Sequence, residues 1–327
     1  MIEQGRKLEF RSALAPLMDR FLQEKRACGY RYARGSLYLQ SLDRFLTGAG
    51  VASVKLPRTV VDRWTAKQPH EKPTTQATRV SYTRQFAEFL VRHGHEAFIP
   101  HYRGAAIFKC DFAPHIFTTC EIRGLFEAAD RLRPDRNSRL RHIMLPLIFR
   151  ALYGCGMRGG EVVKLVVGDV DLGEAMFAVR GGKFRKDRLV PIAPSLLARL
   201  RDYASKMGDR SAQAIFFPAP HGGRYHISTV YGAFRQLLRM AKIPHGGRGR
   251  GPRLHDLRHT FAVHRLVRWY REGVDLNAKL PVLAVYMGHV GMEGTQRYLR
   301  LIADLFPDVA ARQEAAFGQV IPRRTEA

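Results

Sequence analysis

The sequence predicts a mainly α-helical protein of two domains with one small antiparallel β-hairpin. The chain has 327 residues, a length typical of about two domains, and 46% of them are hydrophobic, which is enough to build buried cores. Over most of the chain, apolar residues recur at the three- and four-residue spacing of amphipathic helices. Between residues 169 and 193 the period changes to two around a pair of glycines, as in a hairpin.

The first domain is predicted to span residues 1–104 as a small module of about four helices. Helical spacing of apolar residues runs through three stretches of this domain. Pro57 marks the start of a shorter helix, because proline is favoured in the first helical turn. Residues 95–114 show no sustained period and contain two prolines, which predicts a linker. The second domain then covers residues 105–327.

The second domain is predicted to open with a helix capped by Thr118 or Thr119. A buried helix follows and ends near Gly154. The glycines at its end place Arg158 near the first turn of the next helix. Free backbone N–H groups at such a position favour anions, so an arginine there is well suited to bind a phosphate.

The predicted hairpin pairs the segments MFAVR and RLVPIA around a strongly basic turn. The basic residues at its tip are Lys183, Arg185, Lys186 and Arg188. A basic tip favours contact with a phosphate backbone or a DNA groove. Helices resume after the hairpin, and residues 304–321 are predicted to form an amphipathic terminal helix.

The charge of the chain predicts a polyanionic partner. Lys and Arg number 54 against 29 Asp and Glu, which gives a net charge of +25 and a pI near 10.5. In the densest basic stretch, residues 248–271, seven arginines accompany a single acidic residue, Asp256. Nucleic acid is the leading candidate for the partner. The alternative is a solvated basic surface with no binding role.

The composition also restricts the compartment. The N-terminal segment carries charged side chains and no apolar targeting region, and the chain has no apolar run of the roughly 18 residues that a membrane span requires. The four cysteines are widely spaced and form no C-x-x-C pair of the kind that binds zinc. We therefore expect a cytoplasmic protein that is neither secreted nor membrane-spanning.

One stretch, Leu254–Arg300, holds residue types that bind, protonate and attack a phosphodiester. His255 and Arg258 are three residues apart in HDLRH, so a helix would direct both from one face. His289 and Tyr298 follow in a polar, turn-rich segment. This segment predicts that the hydroxyl of Tyr298 is presented from a short mobile element and not from a buried core. Each side chain alone is more often a packing residue, and only their joint spacing favours chemistry.

The spacing His-x-x-Arg, then Gly-His, then Tyr nine residues after that histidine resembles the tyrosine recombinase (phage integrase) family. Upstream, GCGMRGGE supplies Arg158 with Glu161 behind it, and GGKFRKDRLVP supplies Lys183 in the predicted hairpin. Phe184 stands where the family commonly has glycine, so Lys186 is a rival for the lysine. The six active-site residues that the resemblance implies are Arg158, Lys183, His255, Arg258, His289 and Tyr298.

The resemblance implies a two-domain DNA clamp with an N-terminal helical (SAM-like) core-binding domain and a catalytic domain. It implies that Tyr298 forms a 3′-phosphotyrosyl bond, with Arg158 and Arg258 on the phosphate, His255 as proton acceptor and Lys183 as acid. It implies no cofactor, no metal ion and no ATP. The expected partners are double-stranded DNA, further copies of the chain in a synaptic tetramer, and companion recombinases or DNA-bending proteins.

Two further expectations follow from the resemblance. His289 is expected to hydrogen-bond the phosphate or the tyrosine. Within the N-terminal domain, the expected phosphate contacts are Arg31, Arg34, Arg79 and Arg84. The biological task would be integration, excision, inversion or resolution of DNA, as in the transposition of a mobile element.

Three other functions stay open. His255 and His259 lie four residues apart, as two zinc ligands on a helix do, but Arg258 would place a cation beside the metal. A DNA-binding relative without catalysis, acting as an architectural or regulatory protein, shares the basic composition. A nicking-and-rejoining topoisomerase shares the chemistry. Outside the zinc hypothesis, His259 and His264 are interpreted as structural or surface residues.

Overall fold

The computed structural model describes residues 9–101, 113–136, 138, 140–181, 187–247, 250–289, 291–299, 301, 311 and 314. Internal contacts divide the chain into two compact units, Met1–Phe112 and Ala113–Ala327. The predicted boundary between residues 104 and 105 falls a few residues before this division. The stretch from 102 to 112, which contains both positions and most of the predicted linker, lies outside the described residues.

In the described part of the N-terminal unit, residues 9–101, there are four helices, as the periodicity predicts. They are α1 (Ala15–Ala27), α2 (Ala33–Gly48), α3 (Arg58–Thr65) and α4 (Pro73–Arg92). The short helix α3 begins directly after Pro57, as expected. Phe21 of α1 packs edge-on against Phe86 and Phe89 of α4, with ring centroids 5.5 Å and 5.3 Å apart. This aromatic cluster lies in the core that the amphipathic faces of the helices bury.

One of the four arginines predicted to contact phosphate in this unit has a structural role instead. Arg79 of α4 is 4% exposed, and its Nη2 donates to Oε2 of Glu71 at 2.8 Å and to the carbonyl oxygen of Ala66 at 2.8 Å. Its guanidinium also lies over the ring of Trp64. The prediction for Arg79 is therefore wrong, because its buried guanidinium already has the carboxylate of Glu71 as its counter-ion.

The C-terminal unit is mostly helical and carries one small sheet. The helices whose bounds the structure describes are α5 (Thr119–Asp130), α6 (Arg141–Gly154), α7 (Gly159–Val162), α8 (Pro194–Met207), α9 (Ile227–Met240), α10 (Asp256–Arg271), α11 (Leu276–Met287) and α12 (Glu293–Leu299). Helix α6, apolar on most of its surface, is buried against α5, α8 and α10. The N-cap of α5 is Thr118, which forms a capping box with Glu121 and resolves the choice between the two threonines.

The sheet has three antiparallel strands, β1 (Val170–Asp171), β2 (Met176–Val179) and β3 (Arg188–Pro191), in the order β1-β2-β3. Strands β2 and β3 are the predicted hairpin, and Phe177 pairs with Val190 across it. The very short β1 has no periodicity that sequence could reveal. The hairpin turn at 182–186, which includes Lys183 and Lys186, lies outside the described residues, as does most of the predicted terminal helix.

Candidate active site

Arg158 stands at the start of α7, but this helix is only four residues long. The predicted longer helix stops at Val162, and a 3-10 turn at Val167–Asp169 follows shortly afterwards. Nη1 of Arg158 donates to Oε1 of Glu161 at 2.8 Å, and Nη2 donates to the carbonyl oxygen of Gly288 at 3.0 Å. These contacts, and not a long helix dipole, fix the guanidinium, which keeps 24% of its side-chain surface exposed.

Glu161 connects two arginines. Besides Arg158, it binds Arg188 of β3, whose Nη2 donates to Oε2 at 2.7 Å and whose Nη1 donates to Oε1 at 3.1 Å. Burial alone would raise the pKa of Glu161, but hydrogen bonds from Arg188 and Arg158 outweigh it and lower this pKa to about 2. Arg188 is therefore internal, with 9% side-chain exposure, and the prediction that it contacts DNA from the hairpin tip is wrong.

Arg258 lies at the centre of the site on α10 and is 1% exposed. Its Nη1 donates to the carbonyl oxygen of Gly156, and its Nη2 donates to that of Met287 and, at 3.3 Å, to Nε2 of His289. Burial and the charge of Arg158 lower the pKa of Arg258 to about 10, so the group is still a cation at neutral pH. It makes no ion pair with a carboxylate among the residues that the structure describes.

His289 follows α11, where Gly288 adopts a left-handed conformation (φ 64°) that ends the helix. A guanidinium can only donate, so Nε2 of His289 must accept from Arg258 and the ring proton lies on Nδ1. Nδ1 is 2.8 Å from Oγ1 of Thr295, so its N–H donates a hydrogen bond to this hydroxyl oxygen. Burial, Arg258 and Arg158 lower the pKa of His289 to about 4, so the ring is neutral at neutral pH.

Tyr298 is buried, in contrast to the prediction of a mobile, presented hydroxyl. It lies on α12 and is 2% exposed, because this helix packs against α10 and α11. Its Oη is 3.1 Å from Nδ1 of His259, and its ring stacks on His289 with centroids 6.1 Å apart. Burial raises the pKa of Tyr298, while the charges of Arg258 and Arg158 oppose the rise. The group is therefore a neutral phenol that faces cations.

His255 caps the N-terminal end of α10 and is exposed to solvent, unlike His259 one turn later. The two rings meet edge-on with centroids 4.7 Å apart. Partial desolvation and the charges of Arg258 and Arg158 lower the pKa of His255 to about 4. His259, which sequence interpretation treated as a structural or surface residue, thus lies between His255 and the tyrosine. Its four-residue spacing from His255 was the available signal.

The structure brings together five of the six predicted residues, and the sixth, Lys183, lies outside the described part of the chain together with its rival Lys186. The five are Arg158, His255, Arg258, His289 and Tyr298. Together with His259 they place two cations and three neutral rings around one phenol, and this site is suited to an anion that the phenol attacks. Among the described residues there is no cluster of three or more His, Cys, Asp or Glu that could hold a metal ion, and no helix long and apolar enough to cross a membrane.

Sequence comparisons identify relatives over nearly the whole chain. Residues 116–303 match the model of the phage integrase family. The chain is 30% identical over 312 residues to y4rB, a protein of Sinorhizobium fredii described as an integrase/recombinase, and the match covers 93% of this chain and 98% of that protein. It is 31% identical over 228 residues to the tyrosine recombinase XerC of Chromobacterium violaceum, with 69% of each chain covered.

Solved structures share the fold. The recombinase XerH bound to its palindromic difH substrate in a post-cleavage complex matches with a TM-score of 0.62 at 14% identity, covering 85% of this chain and 78% of that one. A lambda integrase dimer bound to a COC′ core site matches with a TM-score of 0.60 at 15% identity, covering 86% and 94%. Family model, relatives and fold agree, and the chain belongs to the phage integrase family of tyrosine recombinases.

Proposed function

We propose that this protein is a site-specific DNA recombinase that cuts and rejoins double-stranded DNA through a 3′-phosphotyrosyl bond at Tyr298. The observation that carries the proposal is the position of its phenol. Oη is buried beside the guanidinium of Arg258, which makes no described ion pair with a carboxylate, and Nδ1 of His259 is 3.1 Å away. A buried tyrosine that merely packs has no need of a guanidinium beside its hydroxyl.

The two arginines supply what a phosphodiester requires. This ester resists attack because it is anionic, and negative charge grows on its nonbridging oxygens in the transition state. Arg158 is partly exposed and Arg258 lies deeper beside the tyrosine, so together they can hold the two oxygens while Oη approaches phosphorus. Planar guanidinium groups pair with phosphate through two parallel hydrogen bonds, which a lysine cannot do.

The remaining residues support the transfer. His289 is held between Arg258 and Thr295, and it fixes the plane of the guanidinium. His255 is exposed at the mouth of the site and can hydrogen-bond the phosphate. We assign the protonation of the departing 5′ oxygen to Lys183, with Lys186 as the rival. The phosphotyrosyl bond conserves the energy of the ester, so the 5′-hydroxyl of a second strand can reverse the attack without ATP or metal.

The proposal includes the architecture on DNA. The solved relatives named above are bound to DNA, and one of them is a dimer on its core site. We infer that the four-helix N-terminal unit is the core-binding domain, that the C-terminal unit is catalytic, and that the two units clamp the duplex. Strand exchange between two sites then takes place in a tetramer, with companion recombinases or DNA-bending proteins as further partners. The net charge of +25 supports a polyanionic ligand.

The test uses nicked duplexes tiled across the DNA that flanks the gene, incubated with the protein in EDTA and separated on a denaturing gel. The nick lets the cleaved end diffuse away, so a covalent complex accumulates. We expect a protein–DNA band that survives EDTA and disappears in Tyr298→Phe. DNA binding without any band would favour the non-catalytic DNA-binding relative. Cleavage that requires metal and does not require Tyr298 would refute the proposal.

A further inference from the structure

The histidine nearest the nucleophile differs from the one that the sequence motif implies. Nδ1 of His259 is 3.1 Å from Oη of Tyr298, and the two ring centroids are 5.5 Å apart. His255, one turn earlier on α10, presents its ring to His259 and has its outer surface in solvent. His255 is therefore the histidine on the solvent side of the site, and His259 is the histidine that contacts the phenol.

We propose that His259, and not His255, accepts the proton of Tyr298 when its Oη attacks phosphorus. This proposal rests on the function proposed above. In the step, the Oη–P bond forms and the bond from phosphorus to the 5′ oxygen breaks. The proton of Oη moves to Nδ1 of His259, and the departing 5′ oxygen takes a proton from the acid assigned to Lys183. The reverse attack by a 5′-hydroxyl returns both protons.

The contacts around the phenol leave His259 as the acceptor. Arg258 is a permanent donor and cannot take a proton. His289 has both ring nitrogens engaged, Nε2 by Arg258 and Nδ1 by Thr295. Tyr298 is 2% exposed, so its contact with bulk water is small compared with its contact with these side chains. Nδ1 of His259 lies 3.1 Å from Oη, within the distance of a general base, and we assign it the tautomer in which this nitrogen accepts from the phenol.

The charged groups around His259 make its pKa depend on whether a DNA phosphate is bound. The groups that face it are His255, Arg253 and Arg258 of α10 or its N-terminal approach, and Arg297 and Tyr298 of α12. Burial, and then the electrostatic influence of His255 and of the arginines, lower the pKa of His259 to about 3, which keeps the ring neutral at neutral pH. A phosphate bound by Arg158 and Arg258 offsets the same positive field. The ring then becomes a stronger base when DNA is in place.

Two substitutions at this position separate proton transfer from mere positioning. His259→Asn retains an oxygen close to the place of Nδ1 that can accept the hydrogen bond, but it cannot take a proton at neutral pH. His259→Ala removes both abilities. We expect both variants to slow single-turnover cleavage of a nicked duplex about 10²–10³-fold, within the usual range for loss of a general base, with unchanged DNA binding in a gel shift. A His259→Asn rate close to wild type would overturn the proposal.

The chain offers a matched control on the same helix. Nδ1 of His264 is 2.9 Å from Oη of Tyr153, the same type of contact away from the site. We expect His264→Asn to cleave at the wild-type rate. A loss there equal to the loss in His259→Asn would show a general effect on the helix and would contradict a specific role of His259.

The pH profile compares the two candidate histidines. Without an internal acceptor only the tyrosinate attacks, so the cleavage rate of His259→Ala should rise about tenfold per pH unit between pH 7 and 9. His255→Asn should be slower than wild type through loss of a phosphate contact, yet keep the shallower wild-type profile. A steep pH profile in His255→Asn together with a shallow profile in His259→Ala would identify His255 as the proton acceptor and overturn the proposal.

A sulfur atom at the bridging 5′ position of the scissile phosphate gives a leaving group that departs without a proton. We expect this substrate to restore cleavage to Lys183→Ala and not to His259→Ala. If this substrate restored cleavage to His259→Ala, His259 would be the acid that protonates the leaving group, and the inference would be contradicted. Failure of the wild-type protein to form any covalent complex would refute the proposed function as well, whereas normal cleavage by both His259 variants would refute only this inference.

Discussion

Each of the two units buries an arginine, and the two arginines differ in what balances their charge. Arg79 of the N-terminal unit is paired with the buried carboxylate of Glu71. Arg258 of the C-terminal unit is still more buried, and its described hydrogen-bond partners are two backbone carbonyls, the neutral ring of His289 and the hydroxyl of Tyr298. A buried cation without a paired carboxylate costs free energy unless an anion arrives. The comparison distinguishes a charge used for stability from a charge held ready for a ligand.

The largest expected effect is on catalysis at Arg258. Arg258→Lys keeps a charge, but an ammonium group cannot hold Gly156, Met287 and His289 together and still present a donor fork. We expect the single-turnover cleavage rate to fall about 10³-fold, as on loss of a transition-state donor. The paired variant, Arg79→Lys, should cleave within about twofold of wild type per folded molecule. Equal losses in the two variants would remove the distinction between the two arginines.

The next effect is on stability at Arg79. Arg79→Met leaves Glu71, whose side chain is 8% exposed, as a buried charge without its partner, and should cost about 3–5 kcal/mol of unfolding free energy. Urea unfolding followed by the fluorescence of Trp64 measures it, in a Trp269→Phe background because the chain has two tryptophans. The double variant Arg79→Met, Glu71→Met should recover most of the loss. No recovery would mean that the ion pair is not what stabilises this unit.

Glu161 is the carboxylate that binds Arg158 and Arg188 in the C-terminal unit, and its contribution to stability depends on pH. Its pKa is depressed from 4.5 to about 2, so its contribution to stability is present above pH 4.5 and is lost as pH falls through about 2. This depression corresponds to about 3 kcal/mol. We expect the difference in unfolding free energy between wild type and Glu161→Gln to shrink by that order between pH 6 and pH 2. A difference independent of pH would contradict this account.

The smallest expected effect is at Thr295, whose hydroxyl oxygen accepts a hydrogen bond from Nδ1–H of His289. Thr295→Val keeps the shape of the side chain and removes one hydrogen bond of about 1 kcal/mol, so cleavage should slow about fivefold. Thr295→Ser retains the hydroxyl and should stay close to wild type. The single-turnover assay distinguishes the two. A slow serine variant together with a normal valine variant would show that packing, and not the tautomer of His289, matters at this position.

The sequence predicted the secondary-structure elements and the residues of the candidate site better than it predicted side-chain contacts between distant positions. Periodicity located the four N-terminal helices and the β2–β3 hairpin, since these patterns are local. Motif spacing identified five residues that the structure assembles. The contact between Tyr298 and His259 joins residues 39 positions apart through packing of α12 on α10, and no local pattern records it. The burial of Arg79 likewise depends on Glu71 and Trp64, which its own helix does not contain.

Two errors have the same physical origin. The segment after Arg158 reads as a helix because valines and a leucine recur at helical spacing, yet the chain leaves the helix at Val163. The sequence predicts Arg188 to be a surface cation at a hairpin tip, but its guanidinium is buried in an ion pair with Glu161. In both places tertiary contacts outweigh a local preference that is worth only a fraction of a kcal/mol per residue.

The most direct test of the account identifies the atom that carries the DNA. The covalent complex formed on a nicked duplex is treated with nuclease and then digested with a protease that cleaves after glutamate, so that the peptide beginning at Gly294 contains Tyr298. Tandem mass spectrometry should place a nucleotide phosphate on Tyr298 in the wild-type protein, and the modified peptide should be absent from Tyr298→Phe. A nucleotide attached to any other residue, or retained in Tyr298→Phe, would contradict the central claim.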